Sequence, residues 1–258
     1  MEKFQLIISI LSTMFTAVAA VASFYAARAA SKSNKINLEE IRKRDKPVLD
    51  VPSKKFKGVL LDNLLSQWDG GDENHLKNGA ADYFLDLNNI GNIHARNVVM
   101  YFEYEGLEDF VKEYSNDGFV WTREEDNQLS FYLEKNKRHN FYFINFHHFS
   151  PSEKISNKIR VAITSQYENL GTVQPSKYNT ESTKVHLPLF YVLLLNFNQF
   201  ALNNLKIFDL YLILEYIDPY GLKYKQKFNI KPLFSRVEHT PGSMEFFGKV
   251  ICQEVTPE

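Results

Sequence analysis

Residues 83 to 104 read YFLDLNNIGNIHARNVVMYFEY. Two runs rich in aromatic and β-branched residues, DYFLDLNN (82 to 89) and RNVVMYFEY (96 to 104), flank Asn89-Ile90-Gly91-Asn92. Runs of this kind favour strands, and Asn and Gly readily take the positive φ of a tight bend. The stretch therefore predicts a hairpin. Asn89 and Gly91 form its bend, and Ala95 is small enough for close approach as the second strand re-enters the sheet.

Working outward, the same texture recurs at PVLDV (47 to 51), QLSFYLE (128 to 134), NFYFINF (140 to 146) and KIRVAITSQY (158 to 167). It continues at KVHLPLFYVLLL (184 to 195), FDLYLILEYI (208 to 217), LKYKQKFNI (222 to 230) and MEFFGKVICQEV (244 to 255). About ten short strands separated by turn signals indicate a sandwich or barrel. In the run from Leu222 to Lys231, Leu222, Tyr224, Phe228 and Ile230 fall on one face and Lys223, Lys225, Lys227 and Lys231 on the other, the period of a half-buried strand. Asp218-Pro219-Tyr220-Gly221 before it is a tight-turn signature, so a second hairpin is expected there.

Two segments read differently. The polar run from Leu65 to Gly79 reads as a loop, and its Asp69, Asp72 and Glu73 lack the ligand spacing of a calcium site. Between Gly106 and Gly118, Leu107, Phe110, Val111 and Tyr114 recur at helical spacing, so a short connecting helix is expected.

Composition agrees with a folded, β-rich chain: of 258 residues, 21 are Phe and 14 Tyr, and 44% are apolar. The lone cysteine, Cys252, excludes an internal disulfide and suits a reducing compartment. Net charge is only -1, but residues 1 to 57 carry eleven Lys and Arg against five Asp and Glu, leaving nineteen against twenty-six for residues 58 to 258. A basic segment followed by an acidic body suits a chain whose first part lies at an anionic membrane surface.

The N-terminal segment gives that surface a reason. Phe4 to Ala27 holds no charge, proline or glycine over twenty-four residues. As a helix it spans about 36 Å, enough to cross a hydrocarbon core of about 30 Å. A cleaved signal peptide fits less well, because the apolar run is long and Arg28 and Lys32 follow it directly. Arg28, Lys32, Lys35, Arg42, Lys43, Arg44 and Lys46 stand on the C-terminal side against Lys3 on the other. The positive-inside bias puts the N-terminus outside and the body in the cytoplasm, with those seven cations at lipid headgroups. Within the span, Ser12, Thr16, Ala20, Ser23 and Ala27 line one helix face; such stripes let helices associate in lipid, although small residues also simply dilute an anchor. Helical residues run on to Lys46 before Pro47 stops them. The expected organisation is a tail (1 to 3), a transmembrane helix (4 to 27), a basic juxtamembrane helix (28 to 46) and a cytoplasmic β-sandwich (47 to 258).

Chemistry is sparsely signalled. No metalloprotease, nucleophile-elbow or dinucleotide motif occurs, and no metal or other cofactor is expected. Gly242 to Lys249, GSMEFFGK, approaches a phosphate loop, but its glycines are one residue too far apart and Val250 replaces the Ser or Thr. His147 and His148 are adjacent and on a strand point to opposite faces. The four lysines Lys223, Lys225, Lys227 and Lys231 are anion-binding candidates, since basic and aromatic residues interleave on single-strand-binding surfaces. Protection of an exposed edge strand is the preferred reading, because the body is acidic and nucleic-acid binding calls for a basic footprint. The apolar core Leu189 to Leu195 is too short to span a membrane and reads as a buried strand, with an interfacial segment at residues 186 to 205 as the alternative.

LNNIGNIHARNVVMYFEY, with Asn89, Gly91, Ala95, Asn97 and Val98, resembles the N-x-G-x3-A-x-N-V hairpin of bacterial proteins that join an N-terminal membrane helix to an immunoglobulin-like sandwich. EYIDPYGLKYKQKF, residues 215 to 228, is similar to a second hairpin of that group. The resemblance implies an inner-membrane protein without an active site. Its layout also resembles effector or accessory components of bacterial anti-phage systems, including those paired with retrons. The partners it implies are the membrane, a cytoplasmic protein or nucleoprotein, and further copies of the chain through the helix. A passive scaffold tethering a cytoplasmic enzyme is the alternative.

Overall fold

The structure is a computed structural model and describes residues 2–61, 66–69, 83–115, 117–123, 127–136, 138, 141–150, 155–179, 181–200, 205–240 and 243–255. The chain divides into two units, Met1–Lys46 and Pro47–Glu258. The first is one uninterrupted helix, α1 (Glu2–Arg44), of 43 residues, about 64 Å long at 1.5 Å per residue. Asp45 N–H donates to the Ile41 carbonyl at 2.7 Å, and the helix stops ahead of Pro47, as expected.

The second unit is mainly β. In chain order it contains β1 (Leu49–Asp50), β2 (Lys54–Leu61), β3 (Ser66–Asp69), β4 (Phe84–Asn89), β5 (Ala95–Glu105), α2 (Leu107–Tyr114), β6 (Phe119–Arg123), β7 (Asn127–Lys135), β8 (Tyr142–Ser150) and β9 (Ile155–Ile163). There follow β10 (Tyr167–Val173), β11 (Thr183–His186), α3 (Leu189–Phe200), β12 (Asp209–Ile217), β13 (Lys223–Thr240) and β14 (Ser243–Val255). All pair antiparallel, in three sheets ordered β1-β4-β11, β10-β5-β12-β13-β14-β2-β3 and β6-β7-β8-β9. An immunoglobulin-like sandwich has two sheets; here three share one apolar core. The connecting helix α2 buries Phe110 and Tyr114, as its spacing predicted.

The opening stretch is not a hairpin. β4 pairs with β1 and β11, whereas β5 pairs with β10 and β12. The bend is thus an arch that carries the chain from one sheet to another. Neither Asn89 nor Gly91 takes a positive φ there; that conformation falls at Asn97, φ 49°.

The run 184 to 195 is also corrected. Only Thr183–His186 is strand, and Leu189–Phe200 is helix α3. The Pro188 carbonyl accepts from Tyr191 and Val192 at 3.0 and 3.2 Å, opening the first turn. Phe190 through Phe197 are all buried, and a helix buried all round has no apolar stripe to read. Leucine then favours the helix. α3 wedges between sheets: Phe197 meets Phe131 and Phe146 of the four-stranded sheet at 5.4 and 5.6 Å, while Phe190 meets Tyr104 of β5 at 5.2 Å.

Smaller differences follow from non-local pairing. Ser66–Asp69, expected in a loop, forms β3 against β2, and residues 70–82 lie outside the described residues. The run 158 to 167 is split between β9 and β10, which join different sheets.

Candidate functional site

Thr13–Ile41 of α1 is long and apolar enough to cross a membrane, and its most apolar window is wholly unburied. Met14, Phe15, Val18, Val21, Phe24 and Tyr25 are each more than half exposed. Apolar side chains in such number ask for lipid or another helix around them. One continuous helix puts Thr16, Ala20, Ser23 and Ala27 along one side, with Met14, Val18, Val21 and Tyr25 opposite. The side chains of Ser12, Arg42 and Lys43 lie outside the described residues. Arg28, Lys32, Lys35 and Lys46 are exposed, and Arg44 pairs with Asp45 at 3.2 Å.

The arch and its strand explain the motif residue by residue. Asn89 is buried. Its Oδ1 accepts from Val48 N–H at 3.2 Å and Gly91 N–H at 3.0 Å, while Nδ2 donates to the Ile93 and Val173 carbonyls at 2.8 and 3.1 Å. Its backbone carbonyl accepts from both Ser176 N–H (2.8 Å) and Oγ (3.0 Å). One side chain thus ties β1, the arch and the end of β10. Ala95 and Val98 are both fully buried although three apart. The bulge at Asn97 makes this geometry, shifting the register between Glu215 and Ile217 on the neighbouring strand. Asn is among the few side chains that tolerate its φ.

β13 is an interior strand of the large sheet, between β12 and β14. Among the described residues, however, only Lys227 of the four lysines is paired on both sides, which corrects the edge-strand reading for it alone; Lys223 and Lys225 pair with β12 only and Lys231 with β14 only. Lys225 Nζ is 3.2 Å from Glu215 and 2.9 Å from the Tyr101 hydroxyl; Lys227 Nζ is 3.2 Å from Glu103 and 4.1 Å from the Tyr211 ring centre. The hydrogen bond from Tyr101 and the ammonium of Lys225 hold the Glu215 carboxyl below its ordinary pKa. These are cross-strand pairs, with two of four lysines already neutralised. Ile213, between Lys227 and Tyr101 in register, is buried outside the main core. Lys223 and Lys231 remain exposed.

On the inner face of β13 Gln226 interrupts the apolar row for a reason. Its Nε2 donates to the Leu49 carbonyl at 3.1 Å and its Oε1 accepts from Leu49 N–H at 3.3 Å and from the Tyr216 hydroxyl at 2.7 Å. The side chain stands in for a strand neighbour of β1. The expected second hairpin is present: Gly221 takes φ 83°, and buried Asp218 accepts from Tyr220 and Leu222 N–H and from the Tyr224 hydroxyl at 2.8, 2.9 and 3.1 Å.

The phosphate-loop-like run serves packing. Ser243–Lys249 of the phosphate-loop-like run lies in β14, and Gly248 faces the ring of Phe56 while Gly58 faces that of Phe246. These are reciprocal glycine–phenylalanine packings across two strands. Burial, with Asp50 nearby, pushes the Cys252 thiol up to about 12, away from thiolate chemistry. His147 and His148 pair in register with Ser130 and Leu129 respectively, and the side chain of His148 lies outside the described residues. Among the described residues no group of three or more His, Cys, Asp or Glu is placed to hold a metal.

Two surfaces of the body were not legible beforehand. A groove of about 660 Å³ opens between α2 and the ends of β8 and β9, walled by Leu107, Val111, Phe141, Tyr142 and Ile163. The second is the outer face of the four-stranded sheet. Register sets Glu134 beside Phe143, Tyr132 beside Asn145 and Arg160, and Ser130 beside His147 and Lys158. Val120, Tyr132 and Phe149 on this face are 56%, 46% and 49% exposed. Asn145 is 6% exposed, and its Nδ2 has no hydrogen-bond partner. The only hint in the sequence was one amide amid the aromatics of NFYFINF.

No protein-family model, curated protein or solved structure matches the chain.

Proposed function

We propose that the chain is a single-pass membrane protein, with its N-terminus outside and its β-body in the cytoplasm, that works by binding a partner rather than by catalysis. The observation that carries this reading is α1: a 43-residue helix, unburied along its apolar window, uncharged from Phe4 to Ala27 and strongly basic from Arg28 to Lys46. Burying that apolar surface in lipid is favourable, and the basic segment favours the cytoplasmic leaflet. The body is then the part free to meet soluble partners, and its three- and seven-stranded sheets are read as the immunoglobulin-like element.

The role we infer is that of a membrane effector or accessory of a bacterial defence or stress system, with helices associating through Thr16, Ala20, Ser23 and Ala27. The test replaces residues 1–30 with an unrelated membrane anchor and follows membrane potential in phage-challenged cells that express the chain with its neighbouring genes. An effector loses the response with the foreign anchor. A retained response means the helix is a passive tether and overturns the effector role.

A further inference from the structure

The described sheet edges differ sharply. β1, β3, β6 and β11 present two to five residues each, and β10 is broken by two register shifts. Among the terminal strands of the three sheets β9 is the exception: nine residues pair with β8 without a shift, and among the described residues its other edge meets no strand. Short or bulged edges are how proteins block strand addition. Here that protection is left to two cations, Lys158 and Arg160, two residues apart and therefore on the same, outer face.

Their surroundings say which strand the edge can accept. Lys158 is exposed. Arg160 leans away from the edge, its guanidinium 3.9 Å from the Phe143 ring and 3.1 Å from Glu134 across β8. That pair is about half exposed, 51% and 50%, and so is weak and exchangeable. Directly beside Arg160 in register lies Asn145, whose buried Nδ2 is unpaired, an arrangement that native structures rarely leave without a reason. Pairing of β9 with a second β9 sets these cations against themselves. A strand with carboxylates two residues apart meets both.

We propose that the open edge of β9 takes up an extended acidic segment of a cytoplasmic partner protein as an added strand, its backbone bonding to β9 and its alternate carboxylates meeting Lys158 and Arg160. Arg160 turns from Glu134 toward the added strand, which uncovers Asn145 and lets its amide donate. This surface rests on the reading of the body as a partner-binding unit and names the partner's chemistry.

The test uses the full chain in detergent micelles and a fluorescein-labelled peptide of nine residues alternating Glu and Val, followed by anisotropy. Saturable binding is expected, weakened at least about tenfold by Lys158→Glu with Arg160→Glu. The serine pair, Lys158→Ser with Arg160→Ser, weakens it less. Both variants are checked for an unchanged far-ultraviolet circular dichroism spectrum. The same peptide N-methylated at four consecutive central residues keeps every carboxylate but blocks its backbone edges, and it should not bind. Absence of saturable binding overturns the proposal, as does equal binding of the N-methylated peptide or indifference to the charge reversals. Displacement of the peptide by a U-rich oligonucleotide at lower concentration would assign the face to nucleic acid instead. Membrane recovery of the same chain is scored separately, so failure of the anchor and failure of the edge are told apart.

Discussion

The bend at Asn89–Asn92 and the turn at Asp218–Gly221 are built from the same kinds of residue and do opposite things. Asp218 binds its own neighbours two, four and six residues on, and the chain returns to the adjacent strand. Asn89 also binds residues two and four on, but adds Val48 and Val173, 41 and 84 positions away, and the chain leaves for another sheet. A turn residue whose amide or carboxylate is satisfied locally makes a hairpin. One whose local bonds are joined by bonds to distant backbone makes a junction between layers.

That contrast sets the size of the expected effects. Asn89→Ala strips partners from two backbone N–H groups and two carbonyls in a buried place, and at about 1–3 kcal/mol for a buried unsatisfied group it should cost about 3 kcal/mol or more. Thermal or urea unfolding of the full chain in detergent measures it. Asp218→Ala should cost about 2 kcal/mol, because the freed groups lie at an exposed turn that water reaches. If the two losses are equal, the distinction between junction and hairpin fails. Asn97→Val should cost about 1–2 kcal/mol through backbone strain at positive φ, while Asn97→Gly should stay within a few tenths; the same melts decide it.

A pH dependence sharpens the junction further. Asp86 on β4 is tied to Lys54 at 3.1 Å and to the Ser182 hydroxyl at 2.6 Å. Burial acts to raise its pKa, but the Ser182 and Lys54 contacts outweigh burial and lower it. A lowered carboxylate contributes stability that is present above the ordinary Asp value of about 4 and is lost as pH falls through the folded value. Asp86→Asn should flatten that acid limb in unfolding curves taken below pH 5. The smallest effect belongs to the lysine row: Lys225→Ala should change stability by no more than about 0.5 kcal/mol, since its pair with Glu215 is half exposed.

Legibility in the sequence followed the same division. Period-two runs such as Leu222 to Lys231 and the turn before them were readable because alternation and turn signature are local, although Gln226 within the run answers to distant Leu49. The partner of β4 was not, because β1 and β11 are distant in the chain and the choice is made by which buried face they complete. α3 escaped because residues buried on every side carry no periodicity. The bulge at Asn97 was written in the motif as Ala95 and Val98 three apart, a spacing that fits one strand face only when a residue is inserted between them. The helix α1 was readable throughout, since a helix long and apolar enough to cross a membrane announces itself by length and absence of charge alone. Asn145 and the β9 edge depend on which strands end a sheet, and a single run of residues does not carry that information.

The central claim is that α1 holds this β-body at a membrane. Alkaline-carbonate extraction of membranes from cells expressing the full chain tests it most directly, with Ala20→Lys and Val21→Lys together as the comparison. The chain should remain in the membrane pellet and the doubly substituted chain should pass to the supernatant. Recovery of the unaltered chain in the supernatant would contradict the account.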